Sequence, residues 1–245
     1  LRVLLAHGAG RDDWRFLAHA LAPDFASDDP SAGLIALDIT LHDDWSTGDL
    51  DAYDVLVLMD PEPLGRGRLA ELGAWVQRGG GCWLVGGDPA KGTYLDDHLL
   101  PVLARGTTTG GIHVRGEAGA ERAMVPTPVH PLLEGLPTEA LETLAEAEWT
   151  RSRRFNAGDL TPVARLEGGA PLLMASPTGG GRVLVLASGL DRASSTLADN
   201  AMFPPLAHRA VAWLAADRRR GPALAAGSPL SFDVPASVGA DLAGA

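Results

Sequence analysis

Residues 53–88, YDVLVLMDPEPLGRGRLAELGAWVQRGGGCWLVGGD, read as a complete strand, helix and strand. Val55, Leu56, Val57, Leu58 and Met59 form an unbroken apolar run, the pattern of a strand covered by helices on both faces. The run stops at the turn Asp60-Pro61. From 66 to 78, Leu69, Leu72, Trp75 and Val76 recur at helical spacing, leaving Arg66, Arg68, Glu71, Gln77 and Arg78 for solvent. Gly79, Gly80 and Gly81 end that helix, because glycine adopts the left-handed C-terminal conformation without a Cβ clash. Residues 82–85 form a second buried strand that leaves through Gly86-Gly87-Asp88-Pro89. Two parallel strands joined by a helix make a right-handed crossover, which commits the chain to a layered α/β sheet.

The composition agrees. A chain of 245 residues with 46% hydrophobic content can bury a sizeable core. A formal net charge of -11 argues against a nucleic-acid surface. No stretch approaches the roughly 18 apolar residues that a membrane span requires. One cysteine excludes an internal disulfide and a cysteine zinc cluster. The start at Leu1 and the weakly patterned end, VPASVGADLAGA, read as a piece cut from a longer protein.

Outward from the central unit, LRVLLA at 1–6 is the first strand, followed by a helix bearing Trp14, Leu17, Ala18 and Leu21 that Asp12 or Asp13 can cap. Residues 34–38 read as a short second strand at the sheet edge. Beyond Asp88 the pattern loosens. Residues 95–103 suggest a short helix interrupted by Pro101, 106–119 are rich in Gly and Thr, and 124–125 suggest a short strand. A strand at 162–166 precedes a hairpin formed by 170–175 and 182–187 around Pro177-Thr178-Gly179-Gly180-Gly181. The last helix, 203–215, has Pro204 and Pro205 in its first turn, where their missing N–H groups do no harm. Residues 1–216 thus form one α/β domain with a loop-rich insertion at 106–150. Residues 217–245 read as a linker and the first strand of a further β region.

The phrases LDAYDVLVLMDPEPL, LGAWVQRGGGCWLVGGD, HPLLEGLP, GAPLLMASPTGGGRVLVLASGLDRASSTLADNAMFPPLAHRAVAWLA and AAGSPLSFDVP, in this order over most of 50–235, resemble the class I glutamine amidotransferase-like, flavodoxin-like domains. They are most similar to those of bacterial membrane-anchored proteins with a BatA-type (aerotolerance regulator) double-transmembrane N-terminal region. The resemblance implies a three-layer sandwich with a mostly parallel central sheet, plus a β-hairpin and the start of a C-terminal β segment. It implies a location on the extracytoplasmic side of the cytoplasmic membrane, anchored by segments outside this chain, with protein partners in the envelope and no cofactor. HPLLEGLP also resembles the sugar-related ThuA-like relatives of the fold. Active members of the wider fold carry a cysteine nucleophile at the turn after the strand matching 82–85, and a later His with an acidic partner. Here that turn is Gly86-Gly87-Asp88, and Ser188-Gly189-Leu190-Asp191-Arg192 follows 182–187. The departure implies a degenerate, non-catalytic binding or scaffolding domain.

Ligands of a doubly wound sheet bind outside the carboxyl ends of its strands. His7, Asp38, Asp60, Asp88 and Asp191 each follow an apolar run and would converge there. Carboxylates with an imidazole can hold Mg²⁺ or Ca²⁺, which would serve a metal-dependent hydrolase or transferase. The competing reading is that each aspartate caps a turn, as Asp60-Pro61 and Asp88-Pro89 suggest. A third possibility is a concave pocket that binds a small ligand or peptide without turnover. Cys82, between Gly81 and Trp83-Leu84-Val85, reads as a small buried hydrophobe. His130 reads as a turn residue, and Ser194 and Ser195 lack a G-x-S-x-G elbow. The triple glycines lack phosphate-loop spacing.

Overall fold

The computed structural model describes residues 1–8, 12–24, 34–42, 44, 47–86, 92–114, 119–156 and 158–218. The expected β segment beyond 218 lies outside them, as does Asp88. Strands β1 (Arg2–His7), β2 (Ala36–Leu41), β3 (Val55–Met59), β4 (Gly81–Val85) and β11 (Gly181–Leu186) pair in parallel in the order β2-β1-β3-β4-β11. The sheet then continues antiparallel through β10 (Pro171–Thr178), β9 (Thr161–Leu166), β6 (Glu121–Met124) and β7 (Glu148–Trp149), making nine strands. A separate ribbon pairs β5 (Thr108–Val114) with β8 (Arg151–Asn156).

The continuous apolar runs are explained by two cores, one on each face. Val3, Leu5, Val55, Val57, Trp83, Val85, Leu184 and Leu186 pack against α1 (Trp14–Leu21) and α6 (Phe203–Ala215). Their alternate neighbours Leu4, Ala6, Leu56, Leu58, Cys82, Leu84, Val183 and Val185 pack against α2 (Arg66–Gln77) and the helical stretch from 95 to 103. Successive strand side chains point to opposite faces, so strands with no polar alternation require both layers of helices. The result is the expected α/β three-layer sandwich.

Helix ends follow local chemistry. Beyond α2, Gly79 has φ +111°, the left-handed conformation expected of a residue just past a helix. Pro204 lies in the first turn of α6. Asp13 occupies the N-cap of α1, yet its side chain makes no capping hydrogen bond, which departs from the expected cap. The helix around Pro101 is continuous rather than broken. A short α3 (Gly92–Tyr94) passes through a π-helical turn, Leu95–Leu99, into α4 (Leu100–Leu103), with the proline at the start of the last piece. A widened turn is a common adjustment where a proline removes a backbone donor.

Strand β2 begins later and runs further than expected, because its register with β1 extends from Arg2↔Ala36 to His7↔Leu41. Residues 106–150, expected as a loop-rich insertion with a short strand at 124–125, hold β5, β6, α5 (Thr138–Ala145) and β7, with β6 ending at Met124 rather than starting there.

Candidate functional site

The chain leaves β1 for β2 on one side and returns to β3 on the other, so the carboxyl ends of β1 and β3 flank the point where strand order reverses. His7 and Met59 are paired there, and Asp60 follows at once. Asp60 is buried and has φ +46°, an uncommon conformation for a residue with a side chain, while its N–H donates to Val85 O at 2.9 Å. The His7 ring stacks on Trp14 with centroids 4.7 Å apart, and its Nδ1 lies 3.0 Å from Gly8 O.

His42, which the sequence reading passed over, ties these strand ends together. Its backbone N–H donates to His7 O at 3.1 Å, and its Nε2 lies 3.1 Å from Met59 O, with the residue 2% exposed. The signal in the sequence is slight: a single histidine, His42, beyond the expected end of β2 at 38 and directly after its observed end at Leu41.

Asp38 does not join this pair, and the carboxylate of Asp191 is engaged in its own turn. Asp38 is opposite Leu4 within β2, not at a strand end. Its carboxylate accepts from Arg2 Nη2 at 3.2 Å and from Tyr53 Oη at 2.8 Å, near the amino end of the sheet. Asp191 lies beyond β11 and acts as a turn residue. Its carboxylate accepts from Ser194 Oγ at 2.8 Å, and its carbonyl accepts from the N–H groups of Ser194 and Ser195. Among the described residues no three His, Cys, Asp or Glu side chains come together as a metal would need. The shared carboxylate edge therefore resolves into His7 and Asp60 at the switch point and two aspartates engaged in local structure.

Cys82 is the second residue of β4, level with Leu56 on one side and Val183 on the other. It is wholly buried on the α2 face, and burial pushes its thiol up to about 12. A thiol held protonated in apolar surroundings is inert as a nucleophile. Ser195, 2% exposed, donates to Gly189 O at 3.2 Å, a structural bond.

At β11 the carboxyl end is roofed by protein. The N–H of Arg153, a 2% exposed residue of β8, donates to Ala187 O at 2.6 Å, and Ser188 Oγ donates to Arg151 O at 2.9 Å. Upstream, the N–H groups of Thr150 and Arg151 donate to Ser194 O, and Trp149 bridges Ser195. The backbone from 148 to 153 thus runs along 187–196 and covers the segment that leaves β11. Sequence reasoning did not foresee this strand, because RSRRFN has no apolar alternation.

No protein-family model matches the chain, and no curated protein matches it. Solved structures do. A cytoplasmic protein from Salmonella typhimurium is similar over 87% of this chain and 99% of its own, with TM-score 0.66 and 17% identity. A ThuA-like protein from Bacteroides uniformis is similar over 87% and 91%, with TM-score 0.60 and 13% identity. A β-galactosidase from Rahnella sp. R3 aligns with 86% of this chain but only 30% of its own, with TM-score 0.56 and 16% identity. At such identities the likeness concerns the fold alone, and that fold is the flavodoxin-like, amidotransferase-like α/β architecture shared with ThuA-like proteins.

Proposed function

We propose that the chain is a non-catalytic, degenerate amidotransferase-like domain that acts by binding or scaffolding. The burial of Cys82 carries this reading: the only thiol in the sequence faces the α2 layer from inside a five-stranded parallel core. Gly86, rather than a nucleophile, follows β4, and the backbone of 148–153 runs along the segment after β11. We further propose that the domain belongs to a membrane-anchored bacterial envelope protein. It would face the extracytoplasmic side through segments outside this chain and work with protein partners. The support for that part is the series of sequence phrases between 50 and 235, together with the net charge of -11, which disfavours nucleic acid.

Ammonia release from glutamine, measured for the protein and for Cys82→Ala, tests the first statement. Release at buffer level from both is expected; turnover abolished by the substitution would overturn it. Location is tested by adding protease to intact spheroplasts that express the full-length protein. Digestion of the domain is expected, and protection would assign it to the cytoplasm.

A further inference from the structure

The nine-stranded sheet ends in two edges of opposite character. The β7 edge is two residues long and its backbone is already engaged: Glu148 N–H donates to Thr196 Oγ1 and Thr196 N–H to Glu148 O, each at 2.9 Å, while Trp149 bridges Ser195. The β2 edge is six residues long, and among the described residues no strand pairs with its outer side. Proteins commonly blunt such an edge with lysine, proline, a bulge or a charge. ALDITL has no lysine or proline, its register with β1 is unbroken, and its one charge, Asp38, is held by Arg2 and Tyr53.

The bonds to β1 fix which groups of β2 are open. Ala36 N–H donates to Leu1 O at 2.7 Å and His42 N–H to His7 O at 3.1 Å, so the even-numbered positions face β1. The N–H and C=O of one strand residue point the same way, so Leu37, Ile39 and Leu41 turn theirs outward. The Leu41 carbonyl accepts from Asp44 N–H at 3.1 Å, which leaves its N–H and both groups of Leu37 and Ile39 without a partner among the described residues. The side chains of these three residues also share a face. Leu37 and Ile39 pack, half-buried, at the margin of the core beneath α1 and α6, and Leu41 beyond them is 42% exposed. Residues 37–41, LDITL, therefore read alike in both directions, apolar at the ends and centre and polar between. Such a strand is complementary to itself when antiparallel.

We propose that β2 pairs with β2 of a second copy of this chain, antiparallel about a two-fold axis through Ile39. Ile39 then exchanges N–H and C=O bonds with its own counterpart, and Leu41 N–H donates to the carbonyl of the partner's Leu37. On the apolar face Leu37 lies against the partner's Leu41, which removes the exposed leucine from water. On the other face Asp38 lies across from the partner's Thr40, an uncharged residue. An axis through Asp38 would instead set two carboxylates directly opposite, which is destabilising. One through Thr40 would leave Leu37 beyond the apolar match. The pairing goes beyond the binding or scaffolding role and does not depend on it. One strand from each copy makes a small interface, so the dimer is reversible, with a dissociation constant on the order of 1–100 μM.

Sedimentation equilibrium of the chain between about 1 μM and 1 mM tests the pairing, and a monomer that converts to a dimer across this range is expected. Leu41→Lys, at an exposed position, and Ile39→Pro, which removes an outward N–H and no bond to β1, should each weaken association about tenfold or more, with thermal melting to verify folding. Because Cys82 is wholly buried, Ile39→Cys supplies an accessible thiol on the axis, and hydrogen-bonded pairs set Cα atoms about 5.5 Å apart, within disulfide reach. Mild oxidation should give a covalent dimer from Ile39→Cys and none from the parent chain. A monomer throughout the concentration range would overturn the proposal. So would a dimer that neither Leu41→Lys nor Ile39→Pro weakens, or one that Ile39→Cys does not cross-link.

Discussion

Arg182, near the start of β11, grips Asp217 just beyond α6 with two prongs, Nε to Oδ2 at 2.6 Å and Nη2 to Oδ1 at 3.2 Å. The same guanidinium donates to Trp213 O at 2.8 Å and lies 4.8 Å from the centre of the Trp213 ring. Both charged side chains are largely shielded, at 15% and 21% exposure. Removing the arginine takes two charge-assisted hydrogen bonds from a largely shielded carboxylate and one from the Trp213 carbonyl, so Arg182→Ala should cost about 2–3 kcal/mol. Urea unfolding would measure it, and a loss below about 0.5 kcal/mol would show that the pair is merely a surface contact.

His130 rests edge-on against Trp213 at 5.4 Å, and its Nδ1 accepts from Leu132 N–H at 3.1 Å. Burial, and then the charge of Arg182, hold its pKa below the ordinary 6.5. The unfolded chain then binds the proton more readily than the folded one, so stability is complete above about pH 6.5 and declines as pH falls from there toward the folded value. Urea midpoints between pH 5 and 8 should show this slope, and His130→Gln should flatten it. An identical slope in the variant would assign the effect to other groups.

Two glycine substitutions should have opposite signs. A Cβ at Gly181 would run into the backbone carbonyls of Val76 and Gly80, where the hairpin meets the end of α2, so Gly181→Ala should destabilise by about 3 kcal/mol or more. A Cβ at Gly67, in the first turn of α2, meets nothing within 4 Å. Gly67→Ala should therefore stabilise by up to about 1 kcal/mol through helix propensity. Paired thermal melts check both, and a stabilising Gly181→Ala would contradict the packing at the hairpin.

Cys82 should tolerate Ala better than Ser, although Ser is closer in shape. The site is apolar and fully buried, so a hydroxyl there costs about 1–3 kcal/mol beyond the loss of the thiol. Denaturant midpoints of the two variants compare them directly; equal midpoints would place a hydrogen-bond acceptor beside the side chain.

Much of the parallel core could be read from apolar runs, since strands covered on both faces leave a signal that loops rarely imitate. The unit β3-α2-β4, β11 and α6 lie within a residue of their expected bounds, and β10 runs three residues further, to Thr178, than the expected 170–175. The antiparallel half was harder because its strands mix functions. In β8, Arg153 is buried while Arg151 and Arg154 are exposed, so charge conceals the inward face. In β5, Gly110 and Gly111 coincide with a shift of register between Thr109 and Ile112, and a bulge of that kind breaks the period of two. The site suffered from boundaries. Ending β2 at Asp38 sent that aspartate to the carboxyl edge, whereas three further residues belong to the strand and His42 stands at its true end.

The position of β11 between β4 and β10 has a consequence for synthesis. Gly81 waits for Arg182, roughly a hundred positions later in the chain, before the edge of β4 is covered. While a ribosome makes the intervening residues, β4 presents GCWLV with its pairing groups open, an adhesive template for other nascent chains. A chaperone that shields this edge, or slow growth that keeps nascent chains dilute, should raise the yield of folded protein more than any substitution on the finished surface.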